Sequence, residues 1–204
     1  MSRASHNAEC QVDSLIIATM TYNTPITTMT SFWAAPDLSQ AAFIAPNATT
    51  IGMITIGKGV SIWYSAVLRG DVSRIEIGDR SNIQDGAILH GDPGQPTILE
   101  SDVTVGHRAV IHGAYIESGC LIGIGAIVLS GVRVGRGSIV GAGAVVTKNV
   151  PARSLCVGIP GKVLRTLNEN EAADLVTHAY HYEKLAQVHA GKGTDLGFVW
   201  AKIK

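Results

Sequence analysis

From Ile116 to Val146 a branched aliphatic residue returns every six positions: Ile116, Ile122, Val128, Val134, Val140 and Val146. Four residues after each stands a small or β-branched one, from Cys120 and Ala126 to Ala144 and Val150. The same frame holds upstream at Ile44, Thr50, Ile56, Ile62 and Leu68. It resumes after a slip of three at Ile77, Ile83 and Leu89, and after a slip of four at Leu99, Val105 and Ile111. A five-residue step then joins Ile111 to Ile116. Neither an α-helix, with its period of about 3.6, nor an alternating strand produces this pattern. A six-residue unit suits one short strand plus one turn, and three units close a triangular coil of about 18 residues. The aliphatics then point inward and stack on their equivalents one coil away. About 16 such units make a little over five coils, so the expected fold class is an all-β solenoid, a parallel β-helix of hexapeptide repeats.

A stacked coil needs its open ends covered. "NENE" reads as a helix start, with Asn168 as N-cap and Glu171 three residues on. Ala172, Leu175, Val176, Ala179, Tyr182 and Ala186 follow at helical spacing. The expected organisation is therefore a β-helix over 29–167, a helix over 168–190 lying back along the prism, and a tail over 191–204. Residues 1–28 show no sustained period and are read as a disordered extension, or as the product of a misplaced start with Met29 the true one.

Sixteen basic and sixteen acidic residues cancel, which removes the electrostatic reason to invoke nucleic acid or an anionic membrane. No apolar run reaches the roughly 20 residues of a membrane span. Cys10, Cys120 and Cys156 are scattered and odd in number, which argues against a disulfide framework and fits a reducing, cytoplasmic setting. Cys120 falls on a small inward position of the repeat and needs no reactive role.

The hexads can be assigned to faces. Units starting at Leu68, Leu89 and Ile111 lie on one face in successive coils, and the residue after each points outward: Arg69, His90 and His112. His90 and His112 are then vertical neighbours about 4.8 Å apart at the backbone, which suits two imidazoles sharing one metal. His107 follows Val105 at the preceding corner, with Asp85 in the matching place one coil below. A second chain docked on the histidine face could bring its own His107 to the pair. Its Asp85 could likewise meet Arg69, and three prisms would close such a ring.

"SIWYSAVLRGD" (61–71), "SNIQDGAILH" (81–90) and "VTVGHRAVIHG" (103–113) resemble the signature segments of the γ-class carbonic anhydrase family, and the similarity extends over roughly residues 32 to 190. The resemblance implies a left-handed β-helix, a homotrimer, and zinc or ferrous iron held by three histidines at each subunit interface. Matched by residue, these are His90 and His112 of one chain with His107 of the next. It further implies an Arg69–Asp85 ion pair, Asp71 supporting the arginine, and Gln84 bonding a metal-bound hydroxide or bicarbonate. Tyr182, within the apolar stripe of the final helix, is a packing residue by default. The final helix of some family members suggests a place for it beside the metal. His178, His181 and His189 are expected to be solvated.

The implied activity is reversible hydration of CO2 to bicarbonate, without a membrane or nucleic-acid partner. Three neutral imidazoles leave the metal its charge and an open position for water, whose pKa falls to about 7. The best-known members carry a longer acidic loop with a proton-shuttling glutamate. Here "GDPGQPTILESD" is short and its nearest acid, Asp92, is not the equivalent of that glutamate, so slow hydration is expected even at an intact metal. Two alternatives stand beside this reading. One is an acyl-CoA- or acetyl-CoA-dependent transferase of the hexapeptide-repeat class, in which "GAGAVVTKNVPARSLCVGIPGKVLR" (141–165) would be at home. The other is a catalytically weak trimeric, metal-bound scaffold subunit.

Overall fold

Parallel strands, most of only two or three residues, follow one another from Phe43–Ile44 to Val145–Val146 in the computed structural model, which describes residues 33–198. The reading of residues 1–28 lies outside the described residues. Each strand pairs with the strand one coil away rather than with its neighbour in sequence. One ladder places Ile44, Ile62, Ile83, Val105, Ile122 and Val140 in one column, ending on Cys156. A second stacks Thr50, Leu68, Leu89, Ile111, Val128 and Val146. A third stacks Ile56, Ile77, Leu99, Ile116 and Val134, closed by Val150. The three columns are the faces of a prism about six coils high, the left-handed hexapeptide β-helix that the resemblance implies.

The core is the stack of inward aliphatics. Ile62, Leu68, Ile83, Leu89, Ile111 and Ile122 have no exposed surface. Each contributes about 1.5–3 kcal/mol by leaving water. The coil turns between the first and second faces through a residue in the left-handed region, Ser65, Gly86, Arg108 and Gly125 in successive coils. That conformation costs little in glycine and is borne by single polar residues elsewhere. Both longer slips of the repeat fall at the next corner, after the second face. One is the stretch around Asp71 within the strand Val67–Ile77; the other is the loop 91–96, closed by an Asp92–Gln95 bridge. The inward columns pass both without a break.

The strand Lys162–Thr166 folds back antiparallel on Ser154–Val157 and ends the sheet. The helix α1, Glu169–His189, then returns along the first face. Asn168 caps it: its side-chain oxygen accepts the Glu171 N–H at 2.9 Å, and the Glu171 carboxylate accepts the Asn168 N–H at 2.9 Å. Leu175, Ala179 and Ala186 are buried, while Val176, a member of the apolar stripe, is 42% exposed.

The expectation that the helix histidines are solvated is corrected at His178, whereas His189 is exposed as expected. His189 packs edge-on against Trp63, ring centres 4.9 Å apart, and its Nδ1 bonds the Tyr64 hydroxyl at 3.0 Å. His178 is half-buried and its Nδ1 meets Thr104 Oγ1 at 3.2 Å. The stripe is thus wider than its aliphatic members, because the half-buried His178 extends it.

Asn168→Ala should lower stability by about 1 kcal/mol in urea denaturation, the usual loss for an N-cap. Hydrogen bonds from Arg165 and the Asn168 N–H hold the Glu171 carboxyl down at about 2, below its ordinary 4.5. Its folded pKa is depressed, so its contribution is present above 4.5 and should fade as pH falls toward about 2. The same titration on Glu171→Gln should show a smaller loss across that window.

Candidate metal centre

The strands Ile88–His90 and Val110–His112 pair in register, so His90 stands opposite His112 one coil away. His90 Nδ1 and His112 Nε2 face one another at 3.1 Å. The outer nitrogen of each ring is already committed. His90 Nε2 lies 3.2 Å from Asp71 Oδ1. His112 Nδ1 lies 2.8 Å from Ser130 Oγ, and the Ser130 hydroxyl donates to Asp92 Oδ2 at 2.8 Å. Burial pushes the Asp71 carboxyl up, but hydrogen bonds from Arg69 and His90 outweigh it and hold it below the ordinary value. Asp71 is therefore a carboxylate that only accepts, and His90 Nε2 carries the hydrogen. Serine has one hydrogen, spent on Asp92, so His112 Nδ1 must donate to it.

The two inner nitrogens consequently present lone pairs to each other across 3.1 Å. With these tautomers kept, a cation relieves the arrangement: a proton, at the cost of charging one ring, or a metal ion. Two nitrogens on one tetrahedral zinc, each about 2.0–2.1 Å from it, lie about 3.3 Å apart. The pair fits a metal.

Among the described residues, no group of three or more His, Cys, Asp or Glu side chains in the single chain converges for a metal. His107 lies around the corner, its Nδ1 2.7 Å from Asp85 Oδ2, with both side chains more than two-fifths exposed. Arg69, expected to reach an Asp85, bonds Asp71 within its own chain at 2.7 Å. The structure brings His90, His112, Asp71 and Arg69 together on one face. His107, Asp85, Gln84 and Tyr182 gather at the neighbouring edge.

That second group borders a groove of ≈ 370 Å³ between the first face and α1, lined by Gln84, Thr104, His107, His178 and Tyr182. Gln84 is 4% exposed, so it is not an ordinary outward residue. Its amide donates to Asn82 Oδ1 at 3.1 Å, Asn82 donates to Thr104 Oγ1 at 2.9 Å, and Thr104 meets His178. Every link of this chain is spoken for, which fixes which way the Gln84 amide faces. Above it the outward positions are Gly106 and Gly123, and a Cβ on Gly106 would stand 2.8 Å from the Ile122 carbonyl oxygen. Burial and the Asp85 charge push the Tyr182 phenol up, against a hydrogen bond with Gln84. Burial, then His181, pushes the His178 imidazole down, so it stays neutral toward lower pH. Cys120 is buried and its thiol is pushed up to about 12 by burial, leaving it inert.

A larger groove of ≈ 460 Å³, between Arg136, Arg153 and the start of α1, shares no residue with either histidine group.

Sequence reasoning missed Ser130, Asn82, Thr104 and the contact of Asp92 with the pair. Ser130 stands two residues after Val128 at a corner where the repeat tolerates any small polar residue. Asn82 and Thr104 directly precede inward aliphatics and carry no periodic mark of their own.

Several known proteins resemble the chain as a whole. A family profile described as bacterial transferase hexapeptide (six repeats) matches residues 113–148. The chain is 47% identical to a probable carbonic anhydrase of Methanocaldococcus jannaschii, over 74% of this chain and 96% of that one. It is 41% identical to γ carbonic anhydrase 1, mitochondrial, of Arabidopsis thaliana, over 81% of this chain, but spans only 63% of that protein's length. Among solved structures it is similar to a hexapeptide transferase family protein from Anaplasma phagocytophilum. The TM-score is 0.70 at 38% identity, covering 74% of this chain and 90% of that one.

Asn82 has no exposed surface, and its loss would leave the Gln84 amide and the Thr104 hydroxyl without that partner. Asn82→Ala should therefore cost about 1–3 kcal/mol in urea denaturation. Wild-type stability would show that water or a neighbouring group replaces the link.

Proposed function

The chain belongs to the γ-class carbonic anhydrase family, and from that premise we propose that it catalyses the reversible hydration of CO2 to bicarbonate at a metal centre shared between copies of itself. The observation that carries this reading is the approach of His90 Nδ1 and His112 Nε2 to 3.1 Å, with the other nitrogen of each ring bonded elsewhere. A single chain supplies two nitrogens there, and His107 stands exposed at the adjacent edge. In a homotrimer, His90 and His112 of one copy with His107 of the next would hold zinc or ferrous iron. When bound, the metal supplies a water acidified to about neutral pH, with the charge of the ion undiminished by three neutral ligands.

The apolar surface around the histidines supports assembly. Ile88, Leu129 and Ile124 are 41%, 41% and 59% exposed. Ile88 shares a strand with His90, Leu129 continues the column of His112, and Ile124 continues that of His107. Burying these aliphatics against a second prism gives the edge carrying His107 a reason to dock there. In that assembly Arg69 or Asp85 can exchange its present partner for one across the interface.

The chain's own residues then bind and orient. Gln84, its amide held by Asn82, offers a fixed hydrogen-bonding group at the floor of the groove, where a reacting water or the bicarbonate oxygens can be aligned. Tyr182, kept as the neutral phenol, can donate to a developing anionic oxygen. Gly106 and Gly123 also border this groove, and at both the backbone of the next coil leaves no room for a Cβ. Hydration of CO2 by water yields bicarbonate and one proton, and Asp92 is the exposed acid nearest the pair through which that proton can reach solvent.

Stopped-flow CO2 hydration, on protein loaded anaerobically with zinc or ferrous iron and sized in parallel, tests the proposal. Metal-dependent turnover by a trimer is expected, and His107→Ala should abolish it by removing one nitrogen from every shared centre. A metal-loaded trimer without turnover would overturn the reaction and favour the scaffold reading. CoA affinity without metal affinity would favour the acyl-CoA- or acetyl-CoA-dependent transferase class.

A further inference from the structure

Both longer slips in the repeat fall at the same corner, immediately past the histidine face, and each delivers one carboxylate. The slip of three brings Asp71 directly onto His90 Nε2 at 3.2 Å. The slip of four makes the loop 91–96 and carries Asp92 toward the other ring, where it stops 3.7 Å short of His112 Nδ1. Ser130, from the next coil, fills that gap with 2.8 Å contacts on both sides. The loop is not a loose excursion. Gln95 N–H donates back to the Asp92 carbonyl at 2.8 Å, and the Thr97 hydroxyl donates to the His90 carbonyl at 2.5 Å. The carboxylate is therefore held by the same few residues that carry the histidine.

The geometry points to Ser130 and Asp92 as a positioning relay that locks His112 in the tautomer with hydrogen on Nδ1 and the Nε2 lone pair turned toward His90. The inference rests on the metal-centre reading above and deepens it: neither residue touches the metal position, and both act through His112. Physically, the ionised Asp92 takes the serine hydrogen, the serine oxygen can then only accept, and the imidazole must donate to it. A ligand nitrogen with a hydrogen on it cannot bind a metal, so a ring free to change tautomer presents the wrong nitrogen part of the time. The relay also fixes ring orientation and makes Nε2 more basic, as outer partners of metal-bound histidines generally do. Asp71 serves His90 in the same way without an intermediary. The two rings are thus prepared by two different departures from a regular repeat.

The relay makes a claim about the metal-free protein, which separates its test from the fate of the metal. Long-range ¹⁵N–¹H correlation of the imidazoles reads the tautomer directly. His112 is assigned by loss of its signals in His112→Gln. The wild type should show His112 as the Nδ1–H form, and Ser130→Ala and Asp92→Asn should shift it toward the Nε2–H form. Ser130→Thr, which keeps the hydroxyl, should restore the wild-type pattern. Zinc affinity by competition with a chromogenic chelator should fall about 10–100-fold in Ser130→Ala, at unchanged subunit mass.

A wild-type His112 already in the Nε2–H form, or variants with unaltered tautomer and affinity, would overturn the relay. A wild type with the Nδ1–H form that binds no zinc would uphold the relay and overturn the metal centre.

Discussion

Each coil rests on the one below through a parallel ladder of backbone hydrogen bonds, and that ladder sets both the rise between coils and the face on which every side chain lies. Because strand side chains alternate with a period of two, a one-residue slip would turn Leu89 outward and His90 into the core. The inward columns make such a slip costly, since each displaced aliphatic forfeits its burial. In-register pairing of Leu89 with Ile111 therefore places His90 on His112 as a by-product of packing. The site needs no local device to bring its two rings together. It inherits their spacing from the core.

Spacing alone does not make a chemical site; the direction of the hydrogen bonds around it does. At the histidine pair, carboxylates draw the hydrogens outward through Nε2 of one ring and Nδ1 of the other, leaving electron density between them. At the groove, Gln84 donates to Asn82 and Asn82 to Thr104, which in turn meets His178. Both networks are polarised by groups that lie off the reacting position. The buried ones, Asn82 and Gln84, are held by partners that would be costly to leave unpaired.

The repeat was legible in the sequence because its aliphatic frame recurs at nearly every coil, and with it the shared face of Arg69, His90 and His112. The capped helix was legible because Asn168 and Glu171 carry a local signal of their own. Asp71 and Asp92 were harder to place: they stand where the repeat is interrupted, and the interruption gives no path for the backbone. Ser130 was invisible for the opposite reason, since it occupies a regular position with nothing to distinguish it. His178 was misread because a stripe drawn from apolar residues omits an imidazole. Thr104 supplies the partner that draws His178 onto the prism.

The corner behind the histidines is also the one place where the chain changes length without cost to the stack: three residues longer in one coil, four longer in the next, one shorter after His112. Codons gained or lost there leave every inward column intact, whereas the same change within a strand would misplace all the coils that follow. Length variation at this corner is therefore silent in the scaffold and expressed in the chemistry. A lineage of such chains could retune which acids face the two rings by insertion and deletion alone, keeping each hexad as it stands.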